Sequence, residues 1–273
     1  MRSWARAAVA AALVIRAAAG LALSLGIWAC SAPPPEKAEV RGPVVLITFD
    51  GLRFDPFDRP DRGARIAPHL AEFFAHVEWL GRGIAASGEG DAALASVLTG
   101  LRPSQHGAFG GAGLAPQVST LAEALSPRGY RATGFAPVRT VRIGLARGFG
   151  EFADLGKDRP AAAKLAHLGS GRSFLWVHIP EPRSPFVRRD WLLPRLEDPP
   201  EKLPRRLTSA QVDGWLATGS AREPRLHATL RAMYELNLAW GDERFGRLLA
   251  ALERSGQRSR TLLIVAGVRG DDF

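Results

Sequence analysis

Short apolar runs separated by stretches with helical periodicity limit the fold of this chain more than any other feature of its sequence. Pro43 to Phe49, Phe174 to Ile179 and Thr261 to Ala266 are such runs, and Arg131 to Phe135 adds a shorter one after Gly129-Tyr130. Apolar runs of this length, without polar alternation, read as strands buried on both faces. Between them, Ala67 to Leu80 after a proline, Asp91 to Leu98 with Gly100 as its stop, and Thr120 to Leu125 read as helices. Leu226 to Arg254 reads as a long amphipathic helix in which Leu230, Met233, Leu236 and Leu238 lead toward Phe245, Leu248, Leu249 and Leu252. Residues 193 to 224, rich in Pro and charge, read as an irregular insertion. The expected fold class is α/β, a mostly parallel sheet covered by helices on both faces.

The N-terminus reads as something other than this domain. Residues 1 to 16 carry three arginines and no acid, and Ala17 to Ala29 is an uninterrupted apolar or small-residue stretch ending in Ile27-Trp28-Ala29-Cys30. That pattern predicts a signal peptide over residues 1–29. Counting from Ala7 through Arg16 gives an anchor helix as the alternative. Cys30 is the one cysteine in the chain, so it has no intramolecular disulfide partner. It follows a small residue, with an aliphatic one three positions before, and so resembles the lipidation motif of bacterial lipoproteins. Ser31-Ala32-Pro33-Pro34-Pro35-Glu36 follows at once and reads as an extended spacer. The expected organisation is a signal peptide over 1–29, a lipidated Cys30 and spacer over 30–42, and one α/β domain over 43–273. Lipidated Cys30 then makes the membrane a partner and places the chain, secreted across the inner membrane, in the bacterial cell envelope.

Charge narrows the ligand classes. Lys and Arg outnumber Asp and Glu by 36 to 27, but Arg2, Arg6 and Arg16 lie in the leader. The remaining arginines are scattered singly rather than run into stripes, so the pattern is that of a solvated basic surface and excludes a nucleic-acid site. Attraction to anionic polysaccharide or lipid head groups remains open.

Several segments, taken in order, carry a family resemblance. Val44-Val45-Leu46-Ile47-Thr48-Phe49-Asp50-Gly51-Leu52-Arg53 resembles the first strand of the sulfatase family of the alkaline-phosphatase-like superfamily. Ala95-Ser96-Val97-Leu98-Thr99-Gly100, with Arg102-Pro103 and His106-Gly107, resembles the helix and turn behind that family's nucleophile. Thr120 to Leu125 with Gly129-Tyr130, and Arg147 to Phe152, match its next landmarks. Phe174 through Phe186 is similar to the strand leading into a substrate-binding Asp-Pro-His, Tyr234 through Leu252 to the helix before the last metal-binding strand, and Thr261 to Phe273 to that strand and its exit. The resemblance implies a nucleophile, a divalent cation such as calcium, and cationic groups around a tetrahedral anion.

Carried over residue by residue, most of that machinery is missing. The nucleophile's position falls on Gly90, its partnering Arg on Leu94, and the residues between on Ala92 and Ala93. An insertion in the turn would bring Ser87 into place instead, while Glu89 and Asp91 read as charges near a helix N-terminus. Asp50 is the one retained metal ligand; a second Asp is replaced by Gly51, and the ligand pair of the last strand by Val268-Arg269. One carboxylate is too few for a hard divalent cation. The Asp-Pro-His segment reads Glu181-Pro182-Arg183. A desolvated Asp50 without its metal requires a cation, and Arg269 is the expected partner, with Arg183 a second positive group. His106 and His178 read as structural histidines with satisfied hydrogen bonds; His69, His76, His167 and His227 fall in no ligand spacing, and Arg82 reads as surface. By the family's standard the chain also ends early, as a C-terminally shortened member or part of a split gene.

Three readings of function follow. The first is a degenerate sulfatase-like envelope lipoprotein that binds an anionic, sulfated or phosphorylated ligand at Arg183 and Arg269 without hydrolysing it. The second is an active sulfuric or phosphoric ester hydrolase with a displaced nucleophile at Ser87 and a bound divalent metal. The third is a truncated gene product.

Overall fold

The computed structural model describes residues 42–78, 83–156 and 159–270. The leader, Cys30 and the spacer to residue 41 lie outside the described residues, as does Arg82. The described residues all belong to one compact unit, Arg41–Phe273.

Among the described residues seven strands organise that unit: β1 (Val44–Asp50), β2 (Arg131–Phe135), β3 (Glu151–Ala153), β4 (Ser173–Pro182), β5 (Phe186–Val187), β6 (Arg206–Leu207) and β7 (Leu262–Arg269). Five of them make one sheet in the order β3-β2-β4-β1-β7, and every pairing in it is parallel. The helices are α1 (Asp55–Asp58), α2 (Pro60–Ile66), α3 (Pro68–Ala75), α4 (Gly90–Thr99), α5 (Pro103–His106), α6 (Leu121–Leu125), α7 (Arg139–Arg142), α8 (Arg159–Ala166), α9 (Ser209–Ala217) and α10 (Pro224–Arg254).

The apolar runs are explained by cover on both faces. Val45, Ile47 and Phe49 of β1 enter a core with Leu70 and Phe73 of α3, Leu165 of α8 and Leu236, Phe245 and Leu248 of α10. Val44 and Leu46, alternating with them, enter a second core with Leu94 and Leu98 of α4, Ala122 of α6 and Trp176 of β4. A strand sandwiched this way gains from apolar side chains at every position.

Local chemistry sets the helix ends. Gly100 terminates α4 in the left-handed region, φ +70°. Thr120 caps α6 by accepting from Glu123 N at 3.2 Å, while Glu123 Oε2 accepts from Thr120 N at 2.8 Å. Glu223 caps α10, accepting from Leu226 N at 2.9 Å.

Four expectations need correction. The predicted helix over 67–80 is shorter, α3 running from Pro68, which suits a first helical turn, only to Ala75. β4 runs through Pro180 to Pro182 rather than stopping at Ile179. Residues 193–224 are ordered: β6 pairs antiparallel with β5, Thr208 starts α9 with a capping box, and Leu203, Leu207 and Val212 reach the first core. The last strand is only half buried, since β7 lies at the sheet edge with Leu262 43% and Ile264 40% exposed.

Candidate functional site

Parallel strands deliver their carboxyl ends to one edge of the sheet, and β1 ends there in Asp50, a carboxylate 1% exposed. Up to Phe49 the register is regular, with Phe49 opposite Ile179 on β4 and Gly267 on β7. It then shifts, and Asp50 falls opposite Pro182 and Arg269. A regular ladder would have put Val268 there; the bulge re-aims Arg269 instead. Arg269 Nε donates to Asp50 Oδ1 at 3.1 Å. Arg183, one residue past β4, donates its backbone N–H to Asp50 O at 2.9 Å and its Nη1 to Asp50 Oδ2 at 3.1 Å.

A third guanidinium completes the cluster. Arg139 opens α7 four residues beyond the end of β2, and its Nη2 donates to Asp50 Oδ2 at 3.0 Å while its Nε donates to Asp91 Oδ1 at 3.0 Å. One buried carboxylate therefore carries three arginines, so the cluster is net positive even with Asp91 counted. Arg139 and Arg183 keep 37% and 34% of their side chains exposed. Each guanidinium has five N–H donors, more than these bonds consume.

Gly90 is the first residue of α4 and sits against this cluster. A Cβ built on it would lie 3.1 Å from Arg183 Nη1, 3.3 Å from Arg269 Nε and 3.3 Å from Asp50 Oδ1. The position that resemblance gives to the nucleophile thus faces the reactive edge, and it carries no side chain. Any residue larger than glycine there would push the guanidinium groups aside. Ser87 is occupied otherwise: its Oγ accepts from Glu89 N at 3.0 Å, forming the turn that leads into α4. Glu89 in turn accepts from Gly110 N at 3.0 Å.

These residues do not fit a divalent cation. Both oxygens of Asp50 are already taken by guanidinium N–H groups, the next carboxylate, Asp91, is bonded to Arg139, and three positive charges surround the place a cation would need. Hard cations require several oxygen ligands. Among the described residues no group of three or more His, Cys, Asp or Glu is arranged to hold a metal ion.

Beneath the cluster, on the same face of the sheet, Trp176 Nε1 donates to Thr48 Oγ at 3.0 Å, and Thr48 Oγ lies 2.9 Å from His178 Nδ1. His178 Nε2 is buried with no hydrogen-bond partner among the described residues, while Nδ1 makes the hydrogen bond expected of a structural histidine. Burial lowers the His178 pKa to about 4, Asp50 opposes the shift, and Arg139, Arg183 and Arg244 add to it. His106 matches the structural expectation: Ala108 N donates to its Nδ1 at 3.0 Å and Ser96 Oγ lies 3.0 Å from its Nε2. Burial lowers its pKa as well.

Arg139 is the residue that sequence reasoning missed, having put Arg269 alone as the principal cation. One signal was available. An arginine just beyond the C-terminal end of a parallel strand belongs to the edge where α/β sheets assemble sites. A separate cleft beside α2 and α10 is lined by Arg62, Arg65, Arg231 and Glu235, but its arginines pair with carboxylates, Arg65 with Glu197 and both Arg62 and Arg231 with Glu235. It offers no comparable excess of positive charge.

No family model matches the chain, and no curated protein matches it in sequence. Solved structures do. A 2-O GAG sulfatase superposes with a TM-score of 0.63 at 15% identity, over 85% of this chain and 58% of that one. Phosphonate monoester hydrolase of Agrobacterium radiobacter gives 0.63 at 18% identity, over 85% of this chain and 63% of that one. The C-terminal periplasmic domain of EcEptC from Escherichia coli, solved as a complex with Zn, gives 0.60 at 11% identity, over 88% and 69%. The chain spans about three fifths of the length of the first two. Its mostly parallel sheet, covered on both faces, is the fold of the sulfatases and the alkaline-phosphatase superfamily.

Proposed function

We propose that this chain is a non-catalytic, degenerate member of the sulfatase family that binds a tetrahedral oxyanion, sulfate or phosphate, free or as a monoester, at the Asp50 cluster. The observation that carries this reading is the set of three guanidinium groups on one buried carboxylate, next to a glycine at the nucleophile's position. Arginine's planar fork suits sulfate and phosphate oxygens, and the N-terminal N–H groups of α4 add positive potential at the same place. Hydrolysis needs an attacking group and a cation to polarise the ester, and Gly90 and the crowded Asp50 supply neither. The lipoprotein part of the proposal, Cys30 lipidated and the domain held at the envelope, is supported by the leader and spacer composition.

Thermal unfolding in the presence of inorganic sulfate or phosphate tests the binding claim. A ligand that binds only the folded state raises the midpoint with concentration. The midpoint should rise with either anion, and the rise should be lost in Arg139→Gln with Arg183→Gln, which leaves Arg269 to hold Asp50. No anion-dependent rise, or turnover of an aryl sulfate or phosphate that disappears in Ser87→Ala, would contradict the reading.

A further inference from the structure

We infer that Asp91 tunes the arginine cluster to a singly charged tetrahedral anion, a sulfate monoester, in preference to a dianion such as a phosphate monoester. The inference rests on the anion-binding reading and names the class of ligand that the same site takes.

The hydrogen bonds define the charge of the cluster. Asp50 accepts from Arg269 Nε, Arg183 Nη1 and Arg139 Nη2, and Arg139 Nε donates to Asp91 Oδ1. Three guanidinium groups and two carboxylates so connected leave a net charge of +1. The neighbouring charged groups change that balance little. Glu181 and Arg244 neutralise each other across 2.6 Å, and His178, with its pKa at about 4, is uncharged at neutral pH. Glu89 accepts from Gly110 N at 3.0 Å and stands at the N-terminus of α4, where the helix dipole offsets part of its charge.

A ligand meets the part of the cluster that solvent reaches. Asp50 and Arg269 are the buried members, whereas Arg139, Arg183 and Asp91 keep 37%, 34% and 31% of their side chains exposed. Arg139 and Arg183 each have guanidinium N–H groups beyond those that bond the carboxylates. An oxyanion that takes those donors shares Arg139 with Asp91, so two negative charges lie against one guanidinium. A monoanion brings the cluster to neutrality. A dianion leaves a surplus negative charge beside Asp50 and Asp91, and the cost of taking an ion out of water climbs with the square of its charge. A sulfate monoester carries one charge; a phosphate monoester, with a second pKa of about 6, carries two above neutral pH. Inorganic sulfate, a dianion, still binds, but less tightly than a sulfate monoester.

Calorimetric titration of the protein at pH 8 with phenyl sulfate and with phenyl phosphate, probes that differ only in the anion, tests this. The parent should bind phenyl sulfate more tightly. Asp91→Asn keeps an oxygen that can accept from Arg139 Nε and removes the charge. Because the Coulomb energy scales with the charge of the ligand, the variant should gain about threefold in affinity for phenyl sulfate and about tenfold for phenyl phosphate. If Asp91 did no more than hold Arg139 in place, the weaker hydrogen bond to Asn would lower both affinities. That result would overturn the inference while leaving the anion-binding reading in place, as would equal changes for the two esters or tighter binding of phenyl phosphate by the parent. Binding of neither ester, in parent or variant, would sink the anion-binding reading and this inference with it.

Discussion

Asp50 holds the centre of the site because three donors share it, and the consequences of removing them are unequal. Breaking a buried pair so that a lone charge is stranded costs about 3 to 5 kcal/mol. Arg269→Leu leaves Asp50 with Arg139 and Arg183, so its expected cost is the loss of one charged hydrogen bond, about 1.5 to 3 kcal/mol. Asp50→Asn instead leaves three guanidinium groups facing one another and should cost about 3 to 5 kcal/mol. Added sulfate should restore part of the stability of Asp50→Asn by taking the carboxylate's place. Urea unfolding of both variants, with and without sulfate, checks the order; a larger loss for Arg269→Leu would mean that Asp50 depends on that one partner. His178 gives a pH prediction at the same scale. Its folded pKa of about 4 lies below the ordinary 6.5, so the unfolded chain binds its proton first as pH falls. Stability from this residue is whole above pH 6.5 and is lost as pH drops toward 4. Asp242, raised to about 6 mainly by burial, has the opposite slope between its ordinary 3.8 and 6, because there the folded state holds the extra proton. The difference between His178→Gln and its parent, both retaining Asp242, isolates the His178 slope: the variant should lose less stability than the parent between pH 6.5 and 4. Parallel acid-unfolding curves would show that His178 is already charged in the fold. Asp50, Gly90 and the Asp50–Arg269 proximity could be read from sequence because the family resemblance aligns these strand ends and this helix start. Arg139 falls on no landmark of that resemblance, and its place just beyond the end of β2 was the one signal for it.

At the scale of elements, the strands and the long helix were legible and the ends and edges were not. The two-sided cover of β1 follows from its unbroken apolar run, and α10 from its periodicity. The ordered β5–β6 ribbon and α9 were hidden by a composition rich in Pro and charge; their order comes from Leu203, Leu207 and Val212 reaching a core formed by distant segments. The exposure of β7 was equally invisible, because an apolar run does not say how many neighbours a strand has. β7 pairs with β1 on one side, and Leu262 and Ile264 remain at the edge with no charge on the strand before Arg269. An exposed apolar edge is a template for pairing with another chain. Ile264→Lys should therefore reduce self-association of the Arg41–Phe273 unit, measured by light scattering at rising concentration, with a stability change of about 1 kcal/mol or less for a half-exposed position. Unchanged scattering would place any self-association elsewhere.

For the whole molecule, the Arg41–Phe273 unit has the sulfatase fold, and no helix among the described residues is long and apolar enough to cross a membrane. If the envelope tether is Cys30, then Cys30→Ala should release the protein from the membrane fraction. Retention of that variant with an uncleaved N-terminus would identify an anchor helix instead. At the Asp50 cluster we propose that guanidinium groups stand in a cation's place and that the site receives an anion. Calorimetric titration of the Arg41–Phe273 unit with sulfate, and separately with calcium and zinc, tests it directly. The account predicts saturable binding of sulfate that weakens in Arg183→Gln, and no saturable binding of either metal. Stoichiometric binding of calcium or zinc that is lost in Asp50→Asn would contradict it.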